Sequence, residues 1–216
     1  MFLVRTPGVY RAQGDTALLI ESLRHEPMGP GRSVLDIGTG SGAVALAAAC
    51  RGSSVTAVDV SWRALATTLV NGALHGRWIA VRRGDLVAPV AGRAFDVVVS
   101  NPPYVPASAT RLPSRGVARA WDAGPDGRVL LDRICREAPR VLRVGGVLLM
   151  VQSSLCGVST TCLALADSGM RAQVVARRRQ RFGPVMRSRA GWFEERGIIA
   201  PGQREEELVV IRAVRT

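Results

Sequence analysis

The tetrapeptide Asn101-Pro102-Pro103-Tyr104 follows the apolar run Val97-Val98-Val99-Ser100 and has the residue types that turn a delocalised nitrogen into a nucleophile. The lone pair of an amide or aromatic amine is spread into its π-system, so the nitrogen attacks poorly until it is pyramidalised. Two acceptors, the Asn101 side-chain oxygen and the backbone carbonyl of Pro102, would each hold one N–H hydrogen and turn the lone pair toward an electrophile. Pro102 and Pro103 stiffen the loop and supply carbonyls without competing N–H donors, while Tyr104 offers an aromatic face to a planar group. This is catalysis by positioning. It needs no metal and no strong base, because the proton leaves after the nitrogen has become cationic. Prolines also punctuate ordinary strand exits, so the reading turns on what stands beside the loop.

A second cluster supplies that neighbour. Leu35-Asp36-Ile37-Gly38-Thr39-Gly40-Ser41-Gly42 runs from an apolar segment into a glycine turn, where Gly38, Gly40 and Gly42 let backbone approach a ligand closely. The spacing is GxGxG rather than GxGxxG, and Asp36 stands where a pyrophosphate would be repelled, so a dinucleotide fits poorly. A carboxylate there suits a ligand bearing an ammonium and a sulfonium. Asp59 ends the next apolar segment, where it can accept both ribose hydroxyls, and Asp85 in Gly84-Asp85-Leu86 can accept from an adenine amino group. Each aspartate alone reads equally well as a turn or cap residue. Three in succession, each just past a strand, point to S-adenosyl-L-methionine.

The elements that must carry these residues follow from local patterning. Strands are expected at Ser33 to Ile37, Val55 to Val58, Trp78 to Val81, Phe95 to Ser100, Gly146 to Val151, Ala172 to Ala176 and Leu208 to Ala213. Helices are expected at Asp15 to Glu26, Ala43 to Arg51, Trp62 to Leu74 with Ser61 as N-cap, Gly127 to Leu142 disturbed by Pro139, and Ser159 to Asp167. Alternating strands and helices predict an α/β fold, a Rossmann-like doubly wound sheet of seven mostly parallel strands with an antiparallel edge hairpin. Residues 1–216 read as one domain. Residues 1–30 form a segment on the cofactor side, with the Asp15 to Glu26 helix across the ligand-binding end, and 183–204 are expected to be a loop insertion.

Composition narrows the class. The chain of 216 residues carries 29 basic residues, all arginine, and a formal charge of +12. A basic surface attracts polyanions, but arginine without lysine in an Ala-, Gly- and Val-rich chain is also what a GC-rich genome produces. The densest cluster, Arg177-Arg178-Arg179 with Arg181, reads as a solvated face or strand edge. Nucleic acid is therefore admitted as a partner but not favoured. No apolar run reaches the roughly 20 residues that span a bilayer, and no secretory leader pattern opens the chain. The expectation is a cytoplasmic protein with no membrane partner. The cysteines (Cys50, Cys135, Cys156, Cys162) and histidines (His25, His75) lack metal-ligand spacing, so no metal is expected.

With these residues in place, the chain resembles the HemK family of protein-(glutamine-N5) methyltransferases, in particular the short branch typified by eukaryotic and archaeal release-factor methyltransferases. Val9-Tyr10, Asp15-Thr16-Ala17-Leu18-Leu19, Leu35 to Gly42, Asp59, Asp85-Leu86, Asn101 to Tyr104 and Ala120 to Arg128 carry the resemblance. The resemblance implies that Thr16, Asp36, Gly38, Asp59, Asp85 and Leu86 contact the cofactor and that Asn101 binds the substrate glutamine. It implies a peptide-chain release factor, at its Gly-Gly-Gln loop, as protein substrate, and a small activator subunit as a partner of some relatives. The residues alone leave open an adenine amino-group methyltransferase acting on DNA or RNA, a small-molecule N-methyltransferase, and a cofactor-binding scaffold without activity.

Overall fold

A computed structural model describes residues 2–4, 6–113 and 116–216. Its centre is a seven-stranded sheet in the order β3-β2-β1-β4-β5-β7-β6. The strands are β1 (Ser33–Ile37), β2 (Ser54–Asp59), β3 (Ile79–Arg83), β4 (Phe95–Ser100), β5 (Leu142–Ser153), β6 (Met170–Arg181) and β7 (Glu205–Arg215). β1 to β5 pair in parallel, while β7 runs antiparallel to both β5 and β6. Strands buried on both faces need continuous apolar runs. Val34, Leu35, Val97, Val98, Val99 and Leu148 to Val151 provide them, each almost fully buried.

The helices are α1 (Gly14–Leu23), α2 (Ala43–Cys50), α3 (Trp62–Leu74), α4 (Val129–Glu137), α5 (Val158–Asp167), α6 (Pro184–Ser188) and α7 (Ala190–Glu195). From β1 the chain first winds outward to β2 and β3, then returns to β4 and winds the other way. With right-handed crossovers, that reversal puts α2 and α3 on one face and α4 and α5 on the other. Between β1 and β4 the two directions part and a crevice opens. The register sets its floor: Ile37 pairs with Ser100, so Gly38 and Asn101 leave adjacent strands at one level. Ser100 Oγ ties that exit by donating to the Ile37 carbonyl at 2.9 Å.

α2, mostly alanine, is thin enough to lie close to α3. Just before α2, Gly42 sits in left-handed backbone (φ 79°) where an added Cβ would lie 3.0 Å from Thr68 Cα of α3. Ser61 caps α3 by accepting from the Ala64 N–H. Pro139 ends the α-helical hydrogen bonding of α4, and residues 138–141 continue as a 3₁₀ turn.

Three expectations need correction. The N-terminal helix does not lie across the ligand-binding end; α1 packs along β5, β6 and β7 beside α2, and only its first turn reaches that end. Residues 183–204 are not a plain loop: α6 and α7 bury Met186 and Phe193 in the core, and Ile199 after them is buried too. Arg189 latches this insertion to the loop after Asn101, donating to the Pro106 carbonyl at 2.9 Å and pairing with Asp122 at 2.6 Å. The last two strands are also about twice as long as apolar runs alone suggested. Their extra residues are the arginines and glutamates of an edge ladder, Arg177 with Glu207 and Arg178 with Glu21 on α1. Alternating polar residues hide a half-exposed strand from a search for apolar runs.

Candidate active site

Two cavities meet at Asn101. The first, about 570 Å³, opens over the carboxyl ends of β1 to β4 and is lined by Asp36, Gly38, Gly40, Asp59, Asp85 and Asn101 among others. The second, about 430 Å³, lies on the other side of the Asn101-Pro102-Pro103 loop, between residues 8–15, Trp121, α6 and the start of β7.

At the floor of the first cavity Asp36 is almost completely buried. Burial pushes its carboxyl up to about 6 from 3.8, against the stabilising bonds from Thr39 Oγ1 (2.7 Å) and the Ala45 N–H (3.1 Å). An anion held there without a cation is a costly group that a positively charged ligand would relieve. Asp59 sits one strand over. Its Oδ2 accepts from the Gly40 N–H at 3.0 Å and its Oδ1 from the Ser61 N–H at 2.8 Å. Burial raises this carboxyl too, and those backbone donors oppose the rise. Asp59 thus sets the shape of the glycine turn as well as facing the cavity. Asp85, more exposed, is held by Arg133 of α4 at 2.9 Å. Leu86 takes positive φ (46°) and lines the cavity wall.

At the junction a hydrogen-bond chain runs in one direction. Asn101 Nδ2 donates to Thr16 Oγ1 at 3.1 Å, and Thr16 Oγ1 donates to Asp15 Oδ1 at 3.2 Å. Asp15, buried in the first turn of α1, also accepts from the Thr16 N–H, from Tyr10 Oη at 2.6 Å and from Tyr104 Oη at 3.2 Å. A carboxylate can only accept, so it fixes the sense of the whole chain. The Asn101 amide must point its nitrogen at Thr16 and leave its oxygen for the cavity. Both phenols are held protonated: burial raises Tyr10 and Tyr104, and the Asp15 charge raises them further.

A family model, the methyltransferase small domain, matches residues 1–120. A Methanocaldococcus jannaschii protein named as a protein N5-glutamine methyltransferase is 34% identical over 181 residues, 83% of this chain and 90% of that one. The chain belongs to this methyltransferase family. A release factor glutamine methyltransferase of Geobacter sulfurreducens is 36% identical over 155 residues, 68% of this chain and 54% of its own. A ribosomal protein uL3 glutamine methyltransferase of Bradyrhizobium diazoefficiens is 40% identical over 124 residues, 54% of this chain and 39% of its own. The methyltransferase described here therefore spans about half the length of such bacterial relatives, and nearly all of the archaeal one. Among solved structures, a chain of the E. cuniculi Mtq2–Trm112 complex, responsible for methylating the eRF1 translation termination factor, superposes with TM-score 0.69 at 22% identity. The match covers 97% of this chain and 99% of that one. At that identity it establishes the class I methyltransferase fold.

In this methyltransferase the structure brings Thr16, Asp36, Gly38, Gly40, Asp59, Asp85, Leu86, Asn101, Pro102 and Pro103 to the first cavity. Gly42 is outside it, turned against Thr68. Tyr104 lines the second cavity, with its hydroxyl spent on Asp15 and little of its surface exposed. Sequence reasoning assigned no role to Asp15 or to Glu206. Asp15 had a signal, an acidic residue one place before Thr16 in the first turn of a helix. Glu206, which lines the second cavity from the start of β7, had none, because its partner Gln180 is brought to it by strand pairing.

Proposed function

We propose that this chain transfers a methyl group from S-adenosylmethionine to the side-chain amide nitrogen of a protein glutamine, in the Gly-Gly-Gln loop of a peptide-chain release factor. The observation that carries the reading is the Asn101 amide, held with its oxygen outward at the meeting of two cavities. One cavity has the size of a small-molecule cofactor site, and the other leads to it from the opposite side of the loop.

The residues fit that cofactor. Asp36 is a buried carboxylate in want of a cation, Asp59 stands where ribose hydroxyls would reach a carboxylate, and Gly38 and Gly40 leave backbone bare. Asp85, with Leu86, would receive the adenine, sharing its carboxylate with Arg133. When bound, S-adenosylmethionine supplies a methyl carbon made electrophilic by a cationic sulfur. Asn101 Oδ1 accepts one hydrogen of the glutamine amide and the Pro102 carbonyl the other, which takes the lone pair out of conjugation. That nitrogen would take the methyl group as the donor's carbon–sulfur bond breaks, leaving the neutral thioether, and would then lose its proton to water. Pro103 keeps the loop stiff, and Tyr104 packs beside the planar amide. We read residues 1–216 as one catalytic unit working in the cytoplasm on the translation machinery. No helix among the described residues is long and apolar enough to cross a membrane.

A small activator subunit, as in the E. cuniculi complex, has an open surface to use here. Trp62, Leu69, Val70 and Leu74 make an exposed stripe on α3, and Trp78 leads into the outermost strand β3, which pairs with β2 on one side only.

The decisive experiment is transfer from radiolabelled S-adenosylmethionine to purified release factor, beside a Gln→Ala variant of its Gly-Gly-Gln loop and beside ribosomal protein uL3. Label on the wild-type factor alone supports the proposal. Label on uL3 alone, or on neither protein with and without an activator subunit, overturns the assigned target.

A further inference from the structure

Two walls of the second cavity come from separate parts of the chain, and one side chain ties them together. Pro184, Val185 and Met186 of α6 stand on one side, and Tyr104, Val105 and Trp121 on the other. The Val105 wall is stiff in itself. Its N–H donates to the Trp121 carbonyl at 2.8 Å, and its carbonyl accepts from the Ala123 N–H at 3.1 Å. These bonds make a short parallel bridge, Val105 beside Asp122, that carries the chain away from Tyr104. The α6 wall belongs to an excursion between β6 and β7, pinched at its base where the Phe182 N–H meets the Arg204 carbonyl at 2.9 Å. Met186 and Phe193 root that excursion in the core.

Arg189, between α6 and α7, spans from one wall to the other. Its Nη1 donates to the Pro106 carbonyl at 2.9 Å, and its Nη2 lies 2.6 Å from Asp122 Oδ1, so one guanidinium grips both sides of the bridge. The insertion's other ion pair, Glu194 with Arg204, stays within the insertion. Asp122 Oδ1 is buried without a hydrogen bond of good angle, and its compensation is the Arg189 charge. The two side chains are 26% and 13% exposed, which sets this contact apart from solvated surface pairs that contribute little. Removing one partner of such a pair leaves the other charge poorly compensated. Arg189 follows Met186 by three residues and Pro106 follows Tyr104 by two, so a shift at either end of the contact is a shift at the cavity.

We propose that Arg189 is a positioning residue for the acceptor: it fixes the separation of α6 from the catalytic loop, and so the width of the slot through which a substrate peptide brings its glutamine to Asn101. The inference rests on the function proposed above. Arg189 acts through Pro106 and Asp122 rather than on the substrate itself. With the contact broken, the incoming peptide must order both walls, and that cost falls on binding rather than on methyl transfer.

The test compares Arg189→Met, which keeps an unbranched stem without the fork, with Arg189→Lys, whose single ammonium can still meet Asp122. With intact release factor, KM for the methionine variant should rise roughly tenfold, the low end for hydrogen bonds to charged groups. The kcat at saturation and the S-adenosylmethionine affinity should stay within about twofold, and the lysine variant should fall between wild type and Arg189→Met. Adding Asp122→Asn to Arg189→Met should raise KM little further, because both ends belong to one contact. Hydrogen exchange should quicken at Val105, Ala107 and α6 and stay unchanged in β1 to β4. A joint fall in melting temperature, kcat and cofactor affinity would mark a merely structural role and overturn the inference. Wild-type transfer with an unchanged KM in Arg189→Met overturns it too and leaves the function standing. Absence of wild-type transfer to the factor overturns both. Should Arg189→Met not fold, Asp122→Asn weakens the same contact from its other end, and an unchanged KM there refutes the assignment.

Discussion

Replacing Thr16 by valine keeps the volume of a buried side chain and removes the acceptor that orients Asn101. In the wild type, Nδ2 is committed to Thr16 Oγ1 because that hydroxyl spends its own hydrogen on Asp15. In the variant, the same orientation leaves the amide N–H against a methyl group, and an unpaired buried donor costs about 1–3 kcal/mol. The amide escapes by turning over, which puts its NH₂ group in the cavity and its oxygen against valine. A glutamine amide then meets a donor where it needs an acceptor. Holding the productive orientation against that penalty lowers kcat by roughly 5- to 150-fold, at about 1.4 kcal/mol per tenfold. Because Asn101 is only half-buried, the expected loss is at the lower end, about tenfold. Steady-state transfer at saturating release factor gives kcat, and calorimetric titration gives cofactor affinity separately. Thr16→Ser, which keeps the hydroxyl, should retain at least about half the rate. A valine variant within twofold of wild type refutes the orientation argument. So does a loss that lies wholly in cofactor affinity, which would make Thr16 a cofactor contact and no more.

Three further outcomes are expected. Asp59→Ala removes the acceptor for the Gly40 and Ser61 N–H groups and should weaken S-adenosylmethionine binding by roughly 10- to 100-fold, two such bonds at about 1 kcal/mol each or more; unchanged affinity by calorimetry counts against it. Asp36 binds its proton near pH 6 when folded and near 3.8 when unfolded. The folded state therefore holds more protons in that window, and this carboxyl makes the protein more stable as pH falls through it. Asp36→Asn should gain melting temperature over wild type at pH 7.5, with the gain shrinking toward pH 4, and should flatten a fall in cofactor affinity below about pH 6; a pH-independent difference refutes this. Gly42→Ala forces a Cβ onto left-handed backbone against Thr68 and should cost about 2–4 kcal/mol, roughly 4–16 °C in melting temperature at this size, while cofactor affinity at low temperature changes little. A drop in affinity without a drop in stability would return Gly42 to the cofactor.

What was legible in the sequence is what local chemistry writes there. The central strands announce themselves because burial on both faces demands unbroken apolar runs, and the ligand residues follow each strand because an open parallel sheet presents its carboxyl ends to one crevice. Asn101 and Asp36 come from this part of the chain. The edge hairpin was underestimated because β6 needs apolar side chains on one face only, and its arginines pair across to glutamates of β7 and α1. The insertion hid its helices in five- and six-residue lengths, too short for a helical period to show.

The site divides along the same line. Its cofactor half is built from residues a few places past their strands, within the reach of pattern. Its acceptor half is assembled from segments far apart in the chain. Asn101 meets Thr16, and Tyr104 meets Asp15, through bonds spanning 85 and 89 residues, and Glu206 lines the same cavity only because β7 lies between β5 and β6. A methyl donor common to many enzymes can be recognised from a local motif. The acceptor distinguishes one such enzyme from another, and in the function proposed above it meets residues that only the completed sheet brings together. Changes at Asp36 and Asp59 should accordingly weaken cofactor affinity more than they alter the choice of substrate.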